Sequence, residues 1–228
     1  MNNYPDIKTS PNFTSVIFDF DYTLADSSKG VIKCVNYALK TMNLQPASNS
    51  EIRTTIGMSL REIFQRLTRG SRENRSDEFS RLFTAQADKV MLEKIVLFDS
   101  VKPAIEQLLR RGLTLGIVST KYRYRIEAFL KREGLNHAFQ VIVGGEDVTI
   151  HKPDPTGLLM ATAKLGTKSS NHCVYVGDSV VDAETAHRAA IPFVAVLSGV
   201  TTKDAFRDYD PIAVIDNLSQ LPSVLSKN

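Results

Sequence analysis

Between Leu113 and Gly199 four short apolar runs alternate with three segments of helical spacing. The runs are "LTLGIVST" (113–120), "FQVIVGG" (139–145), "CVYVGDS" (173–179) and "PFVAVLSG" (192–199). Between them lie "RYRIEAFLKREGL" (123–135), with apolar residues at Ile126, Phe129, Leu130 and Leu135, then "PTGLLMATAKLG" (155–166) and "VDAETAHRAA" (181–190). Pro155 suits the start of the second helix and Gly166 its end. Strands that alternate with helices imply parallel βαβ units. Runs that are apolar on both faces suit strands covered on both sides. An earlier run, "VIF" of "VIFDFDYTLADS" (16–27), adds a strand. A short helix near 201–209, strand "IAVID" (212–216) and a helix near 218–226 complete the pattern. The fold class is therefore α/β, with a doubly wound parallel sheet.

The segment 27–97 breaks this rhythm and carries no convincing strand. Helices are predicted over 28–43, 50–56, 59–68 and 76–93, with Ser50, Ser59 and Ser76 as N-caps. Asp26 is read as a helix-start residue. The expected organisation is an α/β core of residues 1–26 and 98–228, interrupted after the first strand by a small all-helical cap of residues 27–97. The polar stretch before Thr14 lacks the apolar centre of a signal peptide and is expected to be a loose leader.

Composition narrows the function classes. Lys and Arg number 28 against 25 Asp and Glu, a net charge of +3, too weak to argue for nucleic acid. No apolar run reaches the roughly 18 residues of a membrane span. Cys34 and Cys173 lie far apart and form no CxxC, as expected of reduced thiols in a cytoplasmic protein. The expected partner is a small molecule, with no nucleic acid and no membrane, bound by a monomer or homodimer.

Ligands of open parallel sheets sit beyond the carboxyl ends of the strands. The first strand ends in Asp19 and Asp21, then Thr23. "LTLGIVST" ends in Ser119 and Thr120, followed by Lys121. "CVYVGDS" ends in Asp178, with Asp182 one helical turn later, and "HKPDP" (151–155) sets Lys152 between turn residues. Several carboxylates, a hydroxyl and a lysine thus converge on one sheet edge. Like charges on one strand face repel and resist desolvation, which a cation relieves. All-oxygen ligands suit a hard ion such as Mg2+. A lysine and a hydroxyl beside it suit a phosphoryl group. One carboxylate can attack phosphorus, and a second can carry the proton.

"DFDYTLADS", "GIVSTK", "HKPDP" and "GDSVVDAETA" occur in the order and spacing of the four signature motifs of the haloacid dehalogenase superfamily. The chain resembles that family from about Ser15 to its end, and the helical insertion resembles the C1-type cap of phosphoglycolate-phosphatase-like members. The resemblance implies Mg2+-dependent hydrolysis of a small phosphorylated metabolite. It implies Asp19 as nucleophile and metal ligand, and Asp21 as general acid/base with its backbone carbonyl on the metal. It implies Ser119 and Lys152 on the phosphoryl group, Asp178 as a direct metal ligand, Asp182 as support for the metal directly or through water, and Thr23 as a stabiliser of its loop. Tyr22 departs from the glycine that many members carry. Thr120, Lys121, Arg123 and Arg53 are candidates for substrate binding at the cleft rim.

A phosphoglycolate-like ester is the leading substrate, followed by pyrophosphate, a sugar phosphate or a nucleotide. Two other readings use the same aspartates: a phosphomutase, which keeps the phosphoryl group on its product, and a non-catalytic phosphate-binding module, which has no use for an acid/base at Asp21.

Overall fold

The computed structural model describes residues 13–167 and 170–226. The leader expected before Thr14 lies almost entirely outside them. The chain opens with β1 (Ser15–Phe18) and β2 (Ala25–Asp26), then α1 (Ser28–Thr41), α2 (Asn49–Arg53), α3 (Leu60–Leu67) and α4 (Ser76–Lys94). It continues with β3 (Val96–Leu97), α5 (Val101–Arg110), β4 (Thr114–Val118), α6 (Arg123–Glu133) and β5 (Val141–Val143). The last part comprises α7 (Thr156–Lys164), β6 (Cys173–Gly177), α8 (Val180–Arg188), β7 (Phe193–Val196), β8 (Ala213–Ile215) and α9 (Leu221–Val224).

Six strands form one parallel sheet in the order β5-β4-β1-β6-β7-β8. β1 is central, and its residues are buried on both faces. A strand so placed must be apolar throughout, which explains "SVIF". β1 pairs in register with β4 (Phe18 opposite Ile117) and with β6 (Phe18 opposite Val176). The residues just past these three strands therefore meet at one edge.

The insertion is a helical cap. α4 buries Phe79, Phe83, Ala87 and Met91, a four-residue spacing that aligns them on one face. Phe64 of α3 stacks on Phe79 with ring centroids 5.0 Å apart. Burying such a side chain contributes about 1.5–3 kcal/mol. α1 packs against α4, and a side-chain carbon at Gly30 would run into the Met91 sulfur.

Several local expectations change. Val96–Leu97 lies in the stretch read as strand-free and pairs antiparallel with Ala25–Asp26, so a two-strand ribbon ties the cap's ends together. Two residues are too few to show a period. The α2 capping box is Ser48 with Glu51, and Ser50 lies inside the helix. Ser76 is the first helical residue of α4, preceded by a 3-10 turn at Glu73–Arg75. Ser59 caps α3 as expected, with Glu62 closing the box. Asp26 accepts a hydrogen bond from the Ser28 amide (2.8 Å), as a helix-start residue does. The segments near 201–209 and 218–220 are 3-10 rather than α-helical.

Candidate active site

Asp19 follows β1 and is fixed by its amide, which donates to the Val176 carbonyl at 2.9 Å. Its Oδ1 accepts from Lys152 Nζ (2.7 Å), and the same ammonium donates to Asp182 Oδ1 (2.6 Å) and to the Tyr175 hydroxyl (3.1 Å). Asp178, past β6, accepts from Thr23 Oγ1 at 3.3 Å. Asp19, Asp178 and Asp182 each bring one carboxylate oxygen within 4.8 Å of the others, and all three are buried.

Three carboxylates here face one lysine. Burial first of all, with the Asp182 and Asp21 charges adding to it and Lys152 working against it, leaves the Asp19 carboxyl raised to about 7. Burial also raises Asp178 well above the ordinary carboxylate range, and the Asp182 and Asp19 charges add to this. Burial works against the Lys152 ammonium, but Asp182 and Asp19 outweigh it and hold Lys152 charged. The cluster is therefore short of positive charge, as a cation site is before it is filled.

The three acids are not equivalent. Asp182 is engaged through both oxygens. Oδ1 meets Lys152 and the Tyr175 hydroxyl (2.9 Å), and Oδ2 accepts from the Ser179 hydroxyl (2.5 Å) and amide (3.2 Å) in the α8 capping box. Among the described residues, nothing donates to Asp19 Oδ2, and Asp178 takes the single long bond from Thr23. The uncommitted oxygens belong to Asp19 and Asp178.

Asp21 points elsewhere. It accepts from Ser27 Oγ (2.5 Å) and pairs with Lys121 Nζ at 3.0 Å to Oδ1 and 3.1 Å to Oδ2. It lines a cavity of about 50 Å³ between core and cap, with Thr120, Lys121 and Arg125 on the core side and Met58, Phe83 and Met91 among the cap residues. Ser119 is buried past β4, with its amide on the Val143 carbonyl (3.0 Å) and its hydroxyl accepting from the Lys121 amide (3.3 Å).

The rim candidates separate. Thr120 and Lys121 line the cavity. Arg123 lies outside that lining, pairing with Asp147 (3.0 Å) and Glu127 (3.4 Å) at the start of α6. Arg53 also lies outside it and donates to the Tyr22 hydroxyl at 3.1 Å. Arg125, which does line it, was missed; it pairs with Asp88 at 2.7 Å. Tyr175 was missed too, because a tyrosine in an apolar strand reads as core. Ser27 closes the first motif, but no role was read for it. Gly199 was read only as a strand end, yet any side chain there would overlap the Asp178 carboxylate.

No helix among the described residues is long and apolar enough to cross a membrane.

Residues 16–196 match the family described as haloacid dehalogenase-like hydrolase. A phosphoglycolate phosphatase of Yersinia pestis is 30% identical over 210 residues, 90% of each chain. Pyrophosphatase PpaX of Oceanobacillus iheyensis is 28% identical, covering 92% of this chain and 96% of that one. A crystal structure from Bacteroides fragilis, described as a haloacid dehalogenase-like hydrolase, superposes with a TM-score of 0.88 at 40% identity, over 92% of this chain and 99% of that one.

Proposed function

Because the chain belongs to the haloacid dehalogenase-like hydrolases, we propose that it is a Mg2+-dependent phosphatase of a small metabolite, working through an aspartyl-phosphate on Asp19. One observation carries this reading: two aspartates two residues apart have unlike surroundings. Asp19 sits in the acid cluster against Lys152, and Asp21 sits in the cavity against Ser27 and Lys121. A pair so divided suits a nucleophile and a proton carrier.

In the proposed cycle an Asp19 oxygen bonds to phosphorus as the bond to the leaving oxygen breaks. Asp21 gives that oxygen its proton. Asp21 then takes a proton from water, whose oxygen bonds to phosphorus as the bond to Asp19 breaks and phosphate departs. Ser119 donates to the transferring group, and Lys152 offsets its charge. Asp19, Asp178 and the Asp21 backbone carbonyl would hold Mg2+, with Asp182 supporting them by fixing Lys152. The ion supplies charge neutralisation for attack on an anionic phosphoryl group.

The 50 Å³ cavity favours a compact leaving group. A phosphoglycolate-like ester remains the leading substrate, supported by the name of the Yersinia relative; pyrophosphate follows, supported by that of the Oceanobacillus relative. The proposed division into core (1–26 and 98–228) and cap (27–97) is supported by the β2–β3 ribbon, which closes the insertion at both ends.

Phosphate release with Mg2+ over phosphoglycolate, pyrophosphate, hexose phosphates, nucleotides and an aryl phosphate tests the proposal. Turnover is expected to favour the smallest esters and to stop on chelation. An isomerised sugar phosphate without free phosphate selects the mutase reading. Stoichiometric binding with no turnover of any ester selects the binding module.

The raised carboxyls give a pH prediction. Metal-free, the fold binds protons more tightly than the unfolded chain, whose aspartates titrate near 3.8. The contribution of Asp19 to stability is therefore fully present below pH 3.8 and is lost as pH rises to about 7. Mg2+ competes with those protons. At a hundredfold excess over Kd, Mg2+ adds about 2.7 kcal/mol, roughly 5–10 °C in Tm for a chain of this size. That shift is expected near pH 8 and should largely vanish near pH 5. Equal shifts at both, in a thermal melt with and without Mg2+, count against the acid cluster as the metal site.

A further inference from the structure

Tyr22 lies between Asp21 and Thr23 with φ near +60°, a conformation that glycine adopts freely and a tyrosine resists. The core holds its backbone there. Its amide donates to the Ala25 carbonyl (2.8 Å), and its carbonyl accepts from Ser198 Oγ (2.5 Å). The side chain is buried, at 4% exposure, and reaches the other way, toward the cap. There its hydroxyl accepts from Arg53 Nη1 at 3.1 Å. Strain tolerated at such a position is a pointer to function when the side chain has a partner that a glycine could not meet.

Arg53 ends α2 and begins the turn that carries Ile56, Gly57 and Met58 over the cavity. The same turn is held a second time, where Thr120 Oγ1 donates to the Gly57 carbonyl at 3.1 Å. One bond comes from the loop of Asp21, the other from the loop of Ser119. The two loops proposed to do the chemistry are thus two that hold this turn of the cap. Tyr22 is not part of the cavity wall, and Arg53 already engages its hydroxyl, so direct contact with substrate is not its part.

We propose that Tyr22 is a positioning residue: its phenol latches the 53–58 turn of the cap, through Arg53, to the Asp21 loop and sets how firmly the cavity closes on a compact leaving group. The consequence for turnover rests on the phosphatase reading; the latch itself does not. Loosening the closed form raises KM before it lowers kcat, as long as bound substrate still keeps most of the enzyme closed.

The test compares Y22F, R53M and the double variant. Losing one part-buried hydrogen bond is expected to raise KM by about 5–10-fold in each single variant. Both should keep kcat within about twofold, since the reacting groups are untouched. The double variant should be no worse than the poorer single one, because both remove the same bond. Y22G accepts the backbone conformation yet lacks the phenol, and its KM should rise as in Y22F. Amide hydrogen exchange, read without any substrate, should quicken about 5–10-fold across 53–58 in Y22F and R53M and stay unchanged in β1. A wild-type KM in Y22F or Y22G, multiplying effects in the double variant, or unchanged exchange across 53–58 would each overturn the latch. Quickened exchange in a protein that releases no phosphate from any ester would leave the latch standing and remove the phosphatase reading instead.

Discussion

Asp19→Asn is expected to abolish phosphate release, by about 10⁴-fold or more, while leaving the metal-free protein at least as stable as the parent at pH 8. The two halves have one cause. The Asp19 carboxyl is raised to about 7 by burial among other acids, so its ionised form is a burden on the metal-free fold above that pH. A neutral amide of the same shape removes the burden and also removes the proposed nucleophile. The variant should lose most of its stabilisation by Mg2+, since an amide oxygen is a poorer ligand for a hard ion than a carboxylate. Asp21→Asn should behave differently. Turnover should fall by about 10²–10⁴-fold with the loss of the proposed proton carrier, but the acid cluster is intact and the Mg2+ shift should survive. Stability drops, because Lys121 is left buried without its partner. Phosphate release and thermal melts with and without Mg2+ distinguish the pair. An Asp19→Asn protein that keeps turnover, or an Asp21→Asn protein that loses its Mg2+ response, would contradict the division of labour proposed for them.

How much of this site was legible beforehand follows from its construction. Asp19, Ser119 and Asp178 come together because β4, β1 and β6 are adjacent, parallel and in register. Strand period and loop position alone bring such residues to one edge. Lys152 sits on a loop, yet its place beside the phosphoryl site was expected from the motif that carries it. Contacts made by side chains across the fold leave no comparable trace. Lys121 follows Ser119 and Thr120 and was read with the substrate-binding residues, but its ammonium turns to Asp21, 100 residues away. Arg123 and Arg125 are two positions apart on α6. Only Arg125 reaches the cavity, and one helix face separates them in space but not in composition. Tyr175 faces the charged network from a strand otherwise filled with apolar side chains. Tyr22 was visible as a departure from glycine, but its backbone conformation and its cap partner were not.

Lys152→Met is expected to cost both stability and activity, for a reason that separates it from the aspartate variants. The ammonium is 2.7 Å from Asp19 and 2.6 Å from Asp182, and all three side chains are almost wholly shielded from solvent. Removing one partner of a buried ion pair leaves the other charge uncompensated, at about 3–5 kcal/mol. For a chain of this size that is a Tm lower by roughly 6–20 °C. The loss should be greatest near pH 8. Toward pH 5 the carboxyls of Asp19 and Asp178, already raised by burial, take up protons and the imbalance shrinks. Mg2+ should restore part of the stability, because it too supplies positive charge, but not the activity, because Asp182 and Asp19 lose the group that joins them. Turnover should fall by about 10³-fold. Lys152→Arg keeps the charge without repairing the site, since a planar guanidinium does not fit a compact three-way contact with Asp19, Asp182 and the Tyr175 hydroxyl. A Lys152→Met protein that melts within about 2 °C of the parent at pH 8 would mean that the three acids share their charge with something other than this lysine.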